Sequence, residues 1–145
     1  MGDPVTATPF FAGDPLLRML TGLNLPADDF VVFGSGPLLA HGLRRDLGDL
    51  DVVARGEAWR RLARWCQPTP APSGHGLTIS LTLEVADRWL PGWDTDRLIG
   101  AAERHAGLPF APLSAVRASK ASTARPKDHN DIALIDAITT TEDAA

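Results

Sequence analysis

The sequence contains a single cysteine, Cys66, so no disulfide can form within the chain. One thiol fits a reducing compartment, and we expect a cytoplasmic protein. No apolar run approaches the ~20 residues that a membrane-spanning helix needs, so no membrane association is predicted. The first residues, MGDPVTATPFFAGDP, have no basic start and no long apolar core, and they do not predict a signal peptide.

The chain also has no excess of positive charge, because it contains 14 Lys and Arg residues and 18 Asp and Glu residues, which give a net charge of -4. No overall basic field is therefore available to attract a nucleic-acid backbone, although a local basic patch stays open. Two arginine groups could line a groove for a polyanion or simply form a solvated face. They are Arg44-Arg45 and Arg60-Arg61-Arg64.

The sequence lacks the pattern of a zinc site. Its four histidines show no metal-ligand spacing along the chain, and the cysteine ligands that would favour a tetrahedral zinc site are absent. The histidines are His41, His75, His105 and His129. Cys66 lies on the apolar face of a predicted helix, which favours a place in the core over a role as nucleophile.

The chain is long enough for one compact domain with one core. Residues 1–13 predict a flexible arm and residues 140–145 a frayed tail. Periodicity predicts helices over 14–22, 37–43, 56–67, 94–106, 113–122 and 125–139. It predicts strands over 30–33, 47–54 and 77–85, an extended piece over 107–110, and a turn-rich connector over 67–76. These elements predict an α/β (α+β) fold: a short mixed β-sheet flanked by helices, mainly on one side, with an open cleft where the first two strands end.

The first informative segment is a buried strand, Phe30–Phe33, that runs into Gly34-Ser35-Gly36 and then into a helix. Glycine lets the backbone approach a ligand closely, and the unpaired N–H groups of the following helix favour an anion such as phosphate. The loop is not a P-loop, and Leu39 stands where a dinucleotide fingerprint has its third glycine. A simple strand-to-helix turn also explains these residues, and on turn chemistry alone it is the commoner case.

Asp49 and Asp51 stand two residues apart in the second predicted strand, so both carboxylates should project from one face. Two close carboxylates raise each other's pKa unless a cation lies between them. Oxygen ligands in an open site suit Mg²⁺, which binds through one or two carboxylates and substrate phosphates. A solvent-facing strand is the alternative, although the surrounding apolar residues suggest that both faces are buried.

Gly34-Ser35 followed by Asp49-Leu50-Asp51 resembles the signature of the nucleotidyltransferase superfamily related to DNA polymerase β. The long spacer, with His-Gly-Leu-Arg at 41–44, resembles one branch of that family. A second match, near the C-terminus, resembles the ending of the same small proteins and of the AbiEii-like group associated with toxin–antitoxin pairs. It comprises Ser119-Lys120, Arg125-Pro126-Lys127-Asp128 and Asp131-Ile132. Together the two matches span about residues 30 to 136.

The resemblance implies that Asp49 and Asp51 bind Mg²⁺ together with a third carboxylate on a later strand. Glu84, within Leu-Glu-Val, is the candidate for this metal ligand and would help to deprotonate the acceptor. Asp87 is the alternative third carboxylate, and an ordinary exposed strand residue is the other interpretation of Glu84. Gly34 and Ser35 would hold the β- and γ-phosphates of the nucleotide.

Lys120, Arg125 and Lys127 are the candidate nucleotide-binding cations, since both ammonium and guanidinium groups suit phosphate oxygens. Lys120 could instead pair with Asp128 or Asp131 and lock two helices together. For Lys127, an exposed and solvated side chain is the alternative.

The resemblance therefore implies an enzyme that transfers NMP from a nucleoside triphosphate to a hydroxyl group. The acceptor could be a small molecule, a protein or an RNA end, and the sequence does not identify it. The alternative is a non-catalytic or regulatory module of the same fold, such as the antitoxin partner of a toxin–antitoxin pair, which would act through a partner protein.

Overall fold

The computed structural model of the chain describes residues 13–71, 74–89 and 93–144. Within these ranges the fold is mixed α/β, with one seven-stranded sheet and six α-helices. The helices are α1 (Pro15–Gly22), α2 (Gly36–Ala40), α3 (Gly56–Ala63), α4 (Thr95–Gly100), α5 (Leu113–Thr123) and α6 (Pro126–Ala144). The strands are β1 (Phe30–Phe33), β2 (Leu50–Ala54), β3 (Thr69–Ala71), β4 (Gly74–Thr78), β5 (Leu83–Ala86), β6 (Glu103–His105) and β7 (Leu108–Phe110). Residues 1–12 of the predicted arm lie outside the described residues.

The sheet is mixed, as the sequence predicts, and its strands lie in the order β3-β4-β5-β2-β1-β7-β6. The two central strands, β1 and β2, are antiparallel, and Phe33 at the end of β1 is opposite Asp51 near the start of β2. β2 is parallel to β5, and β1 is parallel to β7. The loop after β1 and the loop before β2 therefore meet at the same edge of the sheet.

Helices cover both faces of the sheet, so the prediction that they pack mainly on one side is wrong. Phe30 and Val32 of β1 belong to an apolar cluster with residues of α1 and α3. Val31 and Phe33 belong to a second cluster with residues of α4, α5 and α6. Because both faces are covered, every residue of β1 is buried, which explains its unbroken apolar sequence.

Several helices begin where the sequence predicts. Asp14 caps α1 by accepting hydrogen bonds from the backbone N–H groups of Leu16 and Leu17. The predicted helices over 113–122 and from 125 onward correspond to α5 and α6, and α6 continues to Ala144 beyond the predicted end. Among the described residues, none of the helices combines the length and apolar character needed to cross a bilayer.

The predicted strand over 77–85 is wrong as a single element. β4 ends at Thr78, and a turn separates it from β5, which begins at Leu83. The Ser80 hydroxyl holds this turn by accepting hydrogen bonds from the backbone N–H groups of Thr82 and Leu83. The predicted connector over 67–76 is also wrong, because β3 and the start of β4 pair there as a hairpin.

The predicted helix over 94–106 ends at Gly100, and β6 follows it. Ala106 and Gly107 have φ angles of 52° and 81°, the left-handed conformation of a tight hairpin turn. This turn pairs β6 with β7 in antiparallel register. Residues 103–105 therefore form a strand, although sequence periodicity alone predicts a helix there.

Candidate active site

A cavity of about 250 Å³ lies where β1 ends and β2 begins, on the face of the sheet covered by α5 and α6. Segments from four separate parts of the chain line this cavity. The predicted site residues among its lining are Gly34, Ser35, Asp49, Asp51, Lys120, Arg125 and Lys127. The remaining lining residues are Phe33, Trp89, Val116, Ser119 and Thr123. The fold thus brings the loop after β1, the aspartates and the C-terminal cations to one place.

The loop after β1 needs glycine for steric reasons. Gly34 has a φ angle of +64°, and a Cβ atom there would lie 2.8 Å from Asp51 Oδ2. A Cβ atom on Gly36 would overlap the side chain of Val32. The close backbone approach that the sequence predicts is therefore, in the structure, an approach of the Gly34 backbone to the Asp51 carboxylate.

The two aspartates differ in their surroundings. Asp51 lies within β2 and is partly buried, whereas Asp49 precedes the strand and is exposed. The prediction that β2 begins at residue 47 is wrong, because pairing with β5 starts only at Leu50. Both carboxylates nevertheless line the same cavity.

Asp51 lies near enough to two other carboxylates, Asp49 and Glu84, for their negative charges to act on it. The pKa of Asp51 is raised to about 6, first by burial and then by the negative charges of Asp49 and Glu84, although Lys127 and Lys120 lower it. A divalent cation among these oxygens would remove the repulsion. Carboxylate oxygens are ligands that suit a hard divalent cation such as Mg²⁺.

Replacing Asp51 by Asn is expected to stabilise the metal-free protein, and increasingly so as the pH rises. The folded state holds the Asp51 proton more tightly than the unfolded state, because its pKa is raised from 3.8 to about 6. Wild-type stability therefore falls as the pH rises through this interval, and the variant avoids this loss. The gain should be about 2 kcal/mol larger at about pH 7.5 than at about pH 4.5, as measured by urea unfolding in EDTA.

The matched control for this prediction is Asp46→Asn, which removes an exposed carboxylate from the loop before β2. This control separates the effect of losing any one negative charge from the effect of losing the partly buried charge of Asp51. An equal pH-dependent gain in both variants would contradict the assignment of the penalty to Asp51.

Glu84, not Asp87, lies next to the aspartates. Asp51 and Glu84 are directly paired in the parallel β2–β5 register, so their side chains point to the same face of the sheet. Asp87 Oδ1 instead accepts a hydrogen bond from the His75 backbone N–H at 2.8 Å. Asp87 Oδ2 lies 3.4 Å from the ring of the same histidine. Glu84 is exposed and borders a neighbouring cavity of about 380 Å³, which shares Asp51 and Trp89 with the first.

Lys120 is buried and pairs with Asp131 and Asp128, the two acidic residues that the sequence analysis gives as its alternative partners. Its Nζ atom lies 2.8 Å from Asp131 Oδ2 and 3.8 Å from Asp128 Oδ1. Arg44 Nη2 also donates to both carboxylate oxygens of Asp131, at 3.1 and 3.3 Å. This network links α5, α6 and the loop after α2, while Lys120 still lines the cavity.

Asp128 organises the start of α6 beneath the cavity. It is fully buried and accepts hydrogen bonds from Thr123 Oγ1 at 2.7 Å and from the Arg125 backbone N–H at 3.1 Å. Burial by itself would raise the pKa of Asp128, but the hydrogen bonds from Thr123 and Arg125 outweigh it and hold the pKa at about 2. Asp128 therefore stays ionised and fixes the position of the Arg125 guanidinium, whose Nε lies 3.0 Å from Oδ2.

Lys127, two residues after Arg125, also lines the cavity. Its side chain is exposed, and within the described part of the chain no salt bridge or hydrogen bond engages its ammonium group. Its positive charge nevertheless lowers the pKa of Asp51. Lys127 is thus solvated, as one interpretation of the sequence expects, and at the same time positioned over the carboxylates.

Trp89 is a wall of the cavity that the sequence did not single out. Its Nε1 donates to Ser119 Oγ at 2.6 Å, and its ring stacks on Phe33 with centroids 4.5 Å apart. Trp89 lies in an irregular segment after β5, where no periodic pattern predicts its position. Only the packing of this segment against α5 places the ring in the site.

Comparisons of the chain with protein-family profiles, with curated proteins and with solved structures find no match. Two carboxylates, the glycine loop after β1 and the cations Lys120, Arg125 and Lys127 line one cavity. Such an arrangement can hold a divalent cation on one wall and an anionic ligand between that wall and the cations.

Proposed function

We propose that the chain is a Mg²⁺-dependent nucleotidyltransferase that transfers NMP from a nucleoside triphosphate to a hydroxyl group of an acceptor. One observation carries most of the support: the Gly-Ser loop, the Asp pair and the C-terminal cations line a single cavity. The two segments that resemble the nucleotidyltransferase superfamily contain these same residues. The mixed sheet with helices on both faces would then be a nucleotidyltransferase-like fold, acting in the cytoplasm.

The phosphates would lie between the loop after β1 and the start of α6. Gly34 presents its backbone without a Cβ atom, and the Ser35 hydroxyl makes no capping hydrogen bond to α2, so it can turn to a phosphate oxygen. Arg125 and Lys127 face the same cavity from the other side. Lys120 would act mainly by its charge, because Asp131 already holds its ammonium group.

Asp49 and Asp51 would hold the Mg²⁺, and Glu84 would complete the set from β5. When bound, Mg²⁺ would neutralise charge on the triphosphate and favour ionisation of the acceptor hydroxyl. Glu84 faces the neighbouring cavity of about 380 Å³, so the acceptor would enter from that side. There the Glu84 carboxylate would accept the proton of the acceptor hydroxyl as it attacks the α-phosphate, and pyrophosphate would leave.

A second candidate is a non-catalytic or regulatory module of the same fold, such as an antitoxin that contacts a partner protein. The neutralisation of Lys120 by Asp131 favours it, because one candidate phosphate contact is already engaged. The two candidates differ in turnover. An enzyme releases pyrophosphate when an acceptor is supplied as a small molecule, a protein or an RNA end. A regulatory module would bind its ligand without releasing pyrophosphate.

The first test is the thermal shift of the chain with ATP, GTP, CTP and UTP, in Mg²⁺ and in EDTA. Ligand that binds the native state raises its melting temperature, so a rise that needs both metal and triphosphate is expected. Gly34→Ala should abolish this rise, because its new Cβ would press on Asp51 Oδ2. Without ligand it should lose about 1–2 kcal/mol of stability through its positive φ angle.

Gly42→Ala is the matched control for the loop variant. Gly42 has a φ angle of +75°, yet a Cβ atom there would meet nothing within 4 Å. It should lose about 1–2 kcal/mol of stability through its positive φ angle alone, and it should keep the nucleotide-dependent rise in melting temperature. Equal nucleotide responses in the two variants, or no response in the wild type, would argue against binding at this loop.

A further inference from the structure

A cluster of two histidines and one glutamate lies apart from the candidate active site. His41, Glu103 and His105 come together although His41 and Glu103 are 62 residues apart in the sequence. Glu103 Oε1 lies 3.3 Å from His41 Nε2 and 3.5 Å from His105 Nε2. One ligand atom from each of the three residues lies within 4.8 Å of the others. None of the three lines the cavity that holds the aspartates.

The backbone at His41 is fixed by the end of α2. His41 is the C-cap residue, and Gly42 follows it with a φ angle of +75°. The Gly42 N–H donates to the Leu39 carbonyl at 3.0 Å, and the Leu43 N–H donates to the Leu38 carbonyl at 2.8 Å. This pair of hydrogen bonds is a Schellman motif, which sets where the chain leaves the helix. His41 therefore occupies a defined position.

The other two residues are fixed by the β6–β7 hairpin. Glu103 and His105 are two residues apart in β6, so their side chains project from the same face. The tight turn at Ala106-Gly107 and the pairing of His105 with Leu108 set the register of the hairpin. The His105 ring packs against the rings of Phe110 and His41, with centroids 5.6 and 5.2 Å apart.

We propose that His41, Glu103 and His105 bind a divalent transition-metal ion of the Zn²⁺ type. Two ligand atoms of a tetrahedral zinc site lie about 3.4 Å apart, because each bond is about 2.0–2.1 Å long. Both observed distances from Glu103 Oε1 to a histidine Nε2 are close to this value. Two histidines and one carboxylate are also a known set of three zinc ligands, and this set needs no cysteine.

The three side chains are accessible enough to receive an ion from solvent. Their exposed fractions are 23% for His41, 46% for Glu103 and 29% for His105. A fourth position would remain for water. The ion would join the C-terminal end of α2 to the edge strand β6, and α2 begins at the glycine loop of the candidate active site. The metal would thus hold this helix against the sheet independently of Mg²⁺ at the aspartates.

The experiment is a titration of the full chain with Zn²⁺ by calorimetry and with Co²⁺ by absorption spectroscopy, after treatment with EDTA and its removal. The chain carrying Asp49→Asn and Asp51→Asn is titrated as well, so that the carboxylate site cannot contribute. The chain carrying Asp49→Asn and Asp51→Asn should bind one equivalent, with the Co²⁺ spectrum of a tetrahedral site, and the wild type should show the same spectrum. His41→Gln and His105→Gln should each weaken binding by more than about 100-fold, beyond the usual effect of losing an outer-shell partner.

His75→Gln is the matched control, because His75 also lies beside a carboxylate, that of Asp87 at 3.4 Å, but has no second histidine there. It should bind Zn²⁺ like the wild type. Glu103→Gln, at an exposed position, gives a second variant that should fold even if a histidine variant does not, and it should also bind more weakly. No Zn²⁺ binding in the wild type, or unchanged binding in the variants of the three residues, would overturn the proposal.

Discussion

Replacing both Asp49 and Asp51 by Asn is expected to abolish Mg²⁺-dependent binding of a nucleoside triphosphate and to leave the fold intact. The two carboxylates line the cavity together, and an amide cannot supply the anionic oxygen that Mg²⁺ prefers. The loss should exceed about 100-fold in affinity, which corresponds to about 3 kcal/mol. Isothermal titration calorimetry with the triphosphate in Mg²⁺ and in EDTA measures it.

The fold should survive because the substitution removes repulsion. Asp51 is a partly buried carboxylate beside two other carboxylates, so its neutral replacement should raise the melting temperature of the metal-free protein. A variant that is more stable than the wild type and no longer binds the ligand separates loss of the site from loss of structure.

Asp28→Asn plus Asp96→Asn is the matched control, since it removes two negative charges at exposed positions outside the cavity. Nucleotide binding should persist in this control. If the Asp49 and Asp51 variant bound the Mg²⁺-triphosphate as tightly as the wild type, the assignment of the active site to these aspartates would be wrong.

The segment from β1 to β2 could be predicted from the sequence because its signals are local. An unbroken apolar strand, a glycine loop and a pair of acids two residues apart all lie between residues 30 and 54. In the structure β1 keeps its predicted bounds, and the loop and the acids line one cavity. The contact with β1 places Asp51 opposite Phe33, whereas Asp49 precedes β2 and strand alternation does not set its position.

The rest of the sheet could not be predicted in the same way. β3, β6 and β7 have three residues each, too few for a periodic pattern to appear. They are strands because neighbouring strands supply their hydrogen bonds, and such pairing depends on residues distant in the chain or on a turn. Ala106 illustrates this point, since its positive φ angle is imposed by the hairpin and not favoured by alanine.

Two parts of the site also depend on tertiary contacts. The sequence left Lys120 open between phosphate and the acids of α6, and only the packing of α5 on α6 shows the ammonium group held by Asp131. Similarly, the histidines show no metal-ligand spacing along the chain, yet the fold places His41 beside His105. Spacing in sequence identifies only those ligand sets that one helix, strand or loop supplies.

Asp131→Asn is expected to lower the free energy of unfolding by about 3–5 kcal/mol, the usual effect of breaking a buried ion pair from one side. Asp131 is almost fully buried and holds both Lys120 and Arg44. Burial by itself would raise the pKa of Asp131, but hydrogen bonds from Lys120 and Arg44 outweigh it and lower the pKa. Its stabilising effect is therefore present above the unfolded value of 3.8 and is lost as the pH falls below it.

Urea unfolding of the variant at neutral pH measures this loss, and Asp136→Asn on the same helix is the matched control. Asp136 pairs with Arg117 at 2.6 Å, but both side chains are about half exposed, so its removal should lower the free energy of unfolding far less than Asp131→Asn does. An equally small loss for Asp131→Asn would mean that the ammonium group of Lys120 does not depend on Asp131. Lys120 would then be available to a phosphate, and its interpretation as a lock between α5 and α6 would have to be abandoned.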